Sequence, residues 1–351
     1  MAATVPDPVA ENLRPPSGSG RGLYDRLTSG PLSQIGMVLL LAVALYLFVP
    51  APSLAIAIMI YGLWAVSLNL LLGYGGLVSF GHALYWGYGS YAAGLLLIHF
   101  GIGLWLALLA SMLIPGAIAL VAGYVCLRRR EVYFSMLTLA FAQLAYFAAF
   151  EARWLTHGDD GLSNGRTPPL VLPGVNLALS AIRDPSTFFF FTAAIVIAAF
   201  ALLVLYTESP LGRILQAIRE SEERARACGY NTRLVQLITF TVSGMFAGLA
   251  GGLNAISNGF VGLEPYWELS GIVVIMVILG GRSTLFGSML GATAYLLLQH
   301  YLSNAFGEWQ LILGAIFVAI VLSFPQGIWG LVRLEPVGAV RGIRRLLGRS
   351  A

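Results

Sequence analysis

Residues 209–229 read SPLGRILQAIRESEERARACG, a charged stretch between two apolar runs, FFFFTAAIVIAAFALLVLY (188–206) and LVQLITFTVSGMFAGLAGGLNAI (234–256). Local signals predict one short, fully capped helix. Ser209 suits the N-cap, Pro210 the first helical position, and Gly229 the left-handed residue that ends the helix. Leu211, Ile214, Leu215 and Ile218 recur at i, i+3, i+4 and i+7, so one apolar stripe faces protein or lipid while arginines and glutamates face outward. Glu220 and Glu222 each precede an arginine by four residues (Arg224 and Arg226), the favourable order for surface pairs. A helix of this kind between two apolar runs is either a solvated loop helix or a docking element for a partner.

The rest of the chain makes the bilayer its solvent. Of 351 residues 58% are hydrophobic and only 10% charged, and the mean hydropathy is +0.81, values of a polytopic helical membrane protein. All 20 basic residues are arginine. The absence of lysine excludes a P-loop lysine, a Schiff-base lysine and a lysine general base together. Uphill transport driven by ATP would therefore need hydrolysis on another chain. Cys126 and Cys228 read as free thiols without a metal or disulfide role. The first 30 residues are polar and rich in Pro, Gly and Ser, the composition of a disordered tail rather than a cleavable signal peptide.

A crossing needs about 20 mostly apolar residues. Such runs lie near 32–49, 53–72, 83–100, 102–127, 132–150, 188–206, 234–256, 266–280, 285–302 and 309–325, which predicts an all-α protein with about ten membrane helices. With both termini inside, Arg153, Arg166 and Arg183 are the arginines left outside, and the positive-inside rule fixes that orientation. The 209–229 helix is then cytoplasmic, 151–187 is the longest external segment, and the outer loops carry more carboxylates than arginines. That external charge would steer a basic partner surface or is the ordinary outcome of the positive-inside bias. The expected domains are an N-terminal tail (1–30), a membrane domain (31–331) with a cytoplasmic loop at 207–233, and a basic tail (332–351). Trp105, Trp154, Trp267 and Trp309 near the outer boundary and Trp329 near the inner one read as interfacial anchors.

No Asp or Glu falls in the middle of an apolar run, and His82 alone is ionisable at membrane depth. A self-sufficient coupled carrier usually keeps an ionisable group there, so this chain is not expected to be one. Gly73, Gly75, Gly76 and Gly81 interrupt the second and third runs beside Asn69, Ser79, His82 and Ser90. A glycine-rich break at membrane depth is tolerated where it is buried in protein or lines a cavity. These residues form either the wall of a translocation path or a close helix contact; for His82 a structural hydrogen-bonding role is favoured over a coupling role. In SGMFAGLAGGL (243–253) the small residues favour close packing, in the core or against a second membrane chain. The short eighth run is followed by LGGRSTLFGSMLGA (279–292). Interrupted spans in both halves point to a central site between repeats, and runs two to five and seven to ten permit an inverted repeat.

Five blocks carry a family resemblance: LNLLLGYGGLVSFGHALYWGYGSYAAGLL (68–96), VYFSMLTLAFAQL (132–144), HGDDGLSN (157–164), SPLGRILQAIRESEERARACGYN (209–231) and LGGRSTLFGSMLGA (279–292). In this order they resemble the permease subunits of branched-chain amino acid ABC importers, of the Liv M type, over about residues 35–331. The resemblance implies a multi-pass subunit of the bacterial inner membrane without catalysis of its own. It implies a second, Liv H-like permease, two ABC ATPase subunits that bind the ATP, and an external solute-binding protein; this chain would hold no cofactor and would contact lipid but no nucleic acid. ABC permeases generally insert a cytoplasmic loop with an E-A-A-x-x-x-G pattern into the ATPase. Glu223, Ala225 and Gly229 match that pattern, Arg224 departs from it, and Arg219 and Glu220 belong to the same expected coupling surface. The expected path residues are Asn69, Gly73, Gly75, Gly76, Ser79, Gly81 and His82. Relatives that carry urea or short amides share the blocks, so the motifs leave the cargo open; branched-chain amino acids are the default. An intramembrane enzyme or a passive channel are the readings from other classes.

Overall fold

The structure, a computed structural model, describes residues 30–49, 51–99, 103–129, 131–163, 185–262, 267–323 and 327–333. Ten helices occupy the ten apolar runs: α1 (Pro31–Phe48), α2 (Pro52–Asn69, continued by a π turn at Leu70–Tyr74), α3 (His82–His99), α4 (Leu104–Cys126), α5 (Glu131–Glu151), α7 (Pro185–Glu208), α10 (Thr232–Asn258), α11 (Trp267–Gly280), α12 (Leu285–Ala305) and α13 (Trp309–Ser323). Between them lie the short helices α6 (Arg153–Thr156), α8 (Pro210–Glu220) and α9 (Glu222–Ala227). A two-residue antiparallel pair, Leu162–Ser163 with Phe260–Val261, ties the segment after α6 to the end of α10. The expected all-α membrane class holds.

Seven of these helices are long and apolar enough to cross a membrane by length and composition; the α11–α12 pair, bent by 114° at its break, makes an eighth if it is one span. The helix α3 is outside that set because tyrosines, a tryptophan, glycines, a serine and two histidines dilute its 18 residues. It sits inside the bundle instead, where Ala83, Tyr85, Trp86, Ser90 and Ala93 are buried.

The centre of the bundle is α2, apolar on all sides and enclosed by α7, α10, α12 and α11, as an all-round hydrophobic helix requires. Equally apolar α1 and α13 lie at the periphery and leave leucines such as Leu40, Leu47 and Leu311 exposed. The small-residue stripe of α10 resolves as packing within this chain. A Cβ on Gly244 would meet Ala119, one on Gly248 the Ser111 carbonyl and Pro115 ring of α4, and one on Gly251 the Trp86 carbonyl of α3. Removing side chains there lets three backbones approach closely, the usual device between helices in lipid.

Two expectations change. The 209–229 segment is two helices, not one: Ser221, extended at φ −160° and ψ 104°, ends α8 and starts α9. Its hydroxyl caps α9, so the chain gains a new N-terminus where a continuous helix would have buried none. Trp329 is buried against Phe286, ring centroids 5.1 Å apart, rather than placed at an interface. Trp154, by contrast, is 82% exposed and Trp105 42%, as anchors would be, and Trp309 is partly buried. The Trp267 side chain, most of the external segment (164–184) and all but the inner edges of both expected tails (1–29 and 334–351) lie outside the described residues.

Candidate functional site

The α8–α9 pair is built by the caps its sequence announces. Ser209 Oγ accepts from the Gly212 amide at 3.4 Å and Pro210 occupies the first helical position; Ser221 Oγ accepts from the Arg224 amide at 3.3 Å. Gly229 ends α9 at φ +87°. Its amide donates to the Arg226 carbonyl and the Tyr230 amide to the Ala225 carbonyl, the paired bonds of a Schellman stop. Of the two expected glutamate–arginine pairs, Glu222–Arg226 forms at 2.5 Å, and Glu222 also accepts from Thr232 Oγ1 at 3.1 Å. The break at Ser221 takes Glu220 and Arg224 out of helical register. Leu215, Ile218, Ala225 and Val235 form a small apolar cluster with Tyr74, Leu211 and Ile214 packed on it, so the stripe read from the sequence seats the pair on the bundle. Glu220, Glu223, Arg224 and Gly229 are exposed, and Arg219 is exposed in part while its side chain turns towards the bundle.

Directly above this seat α2 loses its regular ladder in the π turn Leu70–Tyr74, a rare conformation that concentrates at functional sites. Asn69 Nδ2 donates to the Thr284 carbonyl at 2.9 Å, so the break in α2 faces the break between α11 and α12. A Cβ on Gly73 would overlap both the Asn69 side chain and the Arg282 carbonyl. Arg219 Nη1 donates to the Gly73 carbonyl, a backbone acceptor at the wide turn. The stem of Arg219 runs along Gly76, which stands at φ +70° with its Cβ position 3.1 Å from Arg219 Cγ, and Leu215 lies 3.5 Å from the Cβ position of Gly75. The two clusters read separately from the sequence therefore meet, with Arg219 as the link.

The remaining path residues make contacts within the bundle. Ser79 Oγ accepts from the Gly81 amide at 3.3 Å, and Gly81 abuts the Thr138 backbone. His82 is fully buried, its Nε2 3.1 Å from Ser67 Oγ and 3.4 Å from Ser243 Oγ, and its ring stands edge-on to Tyr85. Residues 78–80 are pinned to α5, because Ser135 Oγ donates to the Val78 carbonyl at 2.7 Å and Thr138 Oγ1 accepts from the Phe80 amide at 3.2 Å. Ser135 and Thr138 were not singled out from the sequence, although their i, i+3 spacing on an apolar helix puts two hydroxyls on one face.

A cleft of about 750 Å³ opens at the arginine-rich end of the bundle, between residues 75–80, the α4–α5 turn, α8–α9 and the base of α10. Gly75, Gly76, Arg219, Glu220 and Glu223 line it, together with Arg128, Arg129 and Arg233. Asn69, Gly73, Ser79, Gly81 and His82 lie behind its wall, buried. Among the described residues no group of His, Cys, Asp and Glu could hold a metal, and both cysteines are free, Cys126 buried and Cys228 exposed. The arrangement can transmit force between a surface helix and a broken span.

Residues 51–321 match the family described as branched-chain amino acid transport system / permease component. The high-affinity branched-chain amino acid transport system permease protein LivM of Escherichia coli K12 is 30% identical over 318 residues, 84% of this chain and 74% of that protein. LivH of the corresponding Salmonella typhimurium system is 26% identical over 79% of this chain and 93% of its own length. The autoinducer 2 import system permease LsrC of Photorhabdus laumondii is 32% identical over 104 residues, 28% of this chain and 31% of its own. No solved structure matches. With the match running from the start of α2 into α13, through both breaks and the α8–α9 pair, this multi-pass membrane protein belongs to the family of branched-chain amino acid transport permeases.

Proposed function

We propose that this chain is the permease subunit of an ABC importer for branched-chain amino acids, a non-catalytic path through the inner membrane with both termini in the cytoplasm. Its partners are a second, Liv H-like permease, two ATPases that dock on α8–α9, and an external solute-binding protein that selects the cargo. Support comes from the family, from the 30% identity to a LivM permease, and from the arginine distribution under the positive-inside rule. The observation that carries the mechanism is the hydrogen bond from Arg219 to the Gly73 carbonyl. A partner that moves α8 pulls on the π turn of α2, and through Asn69 and Thr284 on the second break. Work enters at the exposed face of Glu220, Glu223 and Gly229 and reaches the first break through the Arg219 side chain and the second through that of Asn69. Alternating access follows when both breaks shift together.

The test is uptake of labelled leucine into vesicles carrying this chain with its neighbouring-gene products. ATP-dependent uptake blocked by valine and isoleucine is expected. In R219Q, which keeps a donor but shortens the reach and removes the charge, uptake should fall about tenfold or more while membrane insertion and ATPase co-purification persist; losing a charged hydrogen bond of this kind costs about 1.5–3 kcal/mol. Full uptake in R219Q refutes the link. An ATP-hydrolysing complex that ignores leucine but takes up urea or a short amide refutes the cargo and leaves the link standing.

A further inference from the structure

Between the arginine-rich ends of α4 and α10 lies a groove of about 550 Å³, floored by Gly123, Leu127 and Leu237 and rimmed by Arg128 and Arg233; Leu127 and the two arginines form the ridge between it and the coupling cleft, whose lining they share. The guanidinium of Arg128 rests 4.6 Å from the centre of the Tyr124 ring, which holds the charge at the rim instead of letting it swing into water. Among the described residues neither Arg128 nor Arg233 pairs with a carboxylate, and no carboxylate lines the groove. The carboxylates of the adjoining cleft are Glu220, Glu222 and Glu223, of which Glu222 is engaged by Arg226 and Thr232. Moving from the arginines towards the middle of the membrane, the surface becomes apolar and open: Val121, Tyr124 and Val125 of α4 and Leu234 of α10 are all exposed.

We propose that this groove binds one anionic phospholipid of the cytoplasmic leaflet, its phosphate between Arg128 and Arg233 and an acyl chain along the exposed face of α4. Two features separate it from a site for a free anion. Its floor is apolar, which a phosphate alone would not use, and its open side runs into the surface that hydrocarbon covers. Basic pockets between membrane helices on the cytoplasmic side recognise such headgroups, each arginine adding about 1 kcal/mol near an anionic surface. The bound lipid also has a mechanical consequence: it would brace the base of α10, to which α9 is fastened through Thr232 and Glu222, so the coupling pair would rest on a lipid-stiffened footing. The proposal rests on the orientation proposed above only for the name of the leaflet.

The experiment is native mass spectrometry of the purified full-length chain in mild detergent, titrated with phosphatidylglycerol and, separately, with phosphatidylcholine. One phosphatidylglycerol should saturate ahead of all others, with no matching phosphatidylcholine. Its affinity should fall about tenfold or more in R128Q/R233Q, survive in R128K/R233K, and survive in R344Q/R345Q, which removes the same charge from the C-terminal tail. Equal phosphatidylglycerol affinity in R128Q/R233Q overturns the proposal. So does loss in the lysine variant to the same degree, which would mean a structural role, or full displacement by millimolar inorganic phosphate, which would mean a soluble-anion site. Lipid retention is read without transport, so this proposal and the importer reading can fail separately.

Discussion

At the scale of single residues, two glycines of the candidate site are required for opposite reasons. Gly73 has an ordinary backbone but no room: a Cβ would overlap the Asn69 side chain and the Arg282 carbonyl, and a carbonyl in a packed break cannot step aside. Gly229 has open space around it, yet stands at φ +87°, where an L side chain costs about 1–2 kcal/mol. Gly73→Ala should therefore destabilise the membrane domain by overpacking, about 1–3 kcal/mol, read as a lower thermal midpoint of the detergent-purified chain. Gly229→Ala should leave that midpoint nearly unchanged and weaken only α9, whose stop it forms. Equal losses of midpoint would contradict this division. The role of Gly229 was legible in the sequence because a helix stop is a local event. That of Gly73 was legible only as a break, since the groups that forbid a side chain, Asn69 apart, come from the far half of the chain.

At the scale of elements, the instructive difference is the division of 209–229 at Ser221. A heptad-like apolar stripe continues through Ile218 and gives no warning, yet the signal was present: serine followed by two acids in the next turn is an N-terminus pattern. It was outweighed by the favourable Glu220–Arg224 spacing, which exists only in a continuous helix. Because α8 and α9 are separate units with separate caps, their stabilities should be separable. Glu222→Ala removes both the Arg226 ion pair and the Thr232 hydrogen bond. Hydrogen exchange in this variant should quicken at the amides of 224–229 and stay unchanged in 213–220, where Leu215 and Ile218 remain in the cluster with Tyr74 and Leu215 stays beside Gly75. Parallel quickening in both segments would mean that they move as one body. The distinction matters for coupling, since α8 holds the link to the π turn while α9 presents Glu223 and Gly229 to a partner.

At the scale of the whole molecule, hydropathy located the ten helices because burial in lipid writes itself into composition, but it did not tell core from rim. Both α2 and α1 are apolar throughout, and one is enclosed while the other faces outward. Nor did it reveal that α3, too diluted with polar residues to pass as a span by composition, is kept inside by its contacts with α10 and α4. The proposed orientation, by contrast, rests on the arginines, and the chain carries its own reporters for it. Cys126 is completely buried at the end of α4, whereas Cys228 is exposed in the α9 stop, and there are no other cysteines. A membrane-impermeant maleimide should therefore label the wild-type chain once, at Cys228, in inside-out vesicles and not at all in sealed right-side-out vesicles. The Cys228→Ser chain should be silent in both until detergent and denaturant expose Cys126. Labelling from the outside would invert the positive-inside assignment, turn α8–α9 away from any cytoplasmic ATPase, and leave Arg219 coupling the π turn to nothing that hydrolyses ATP.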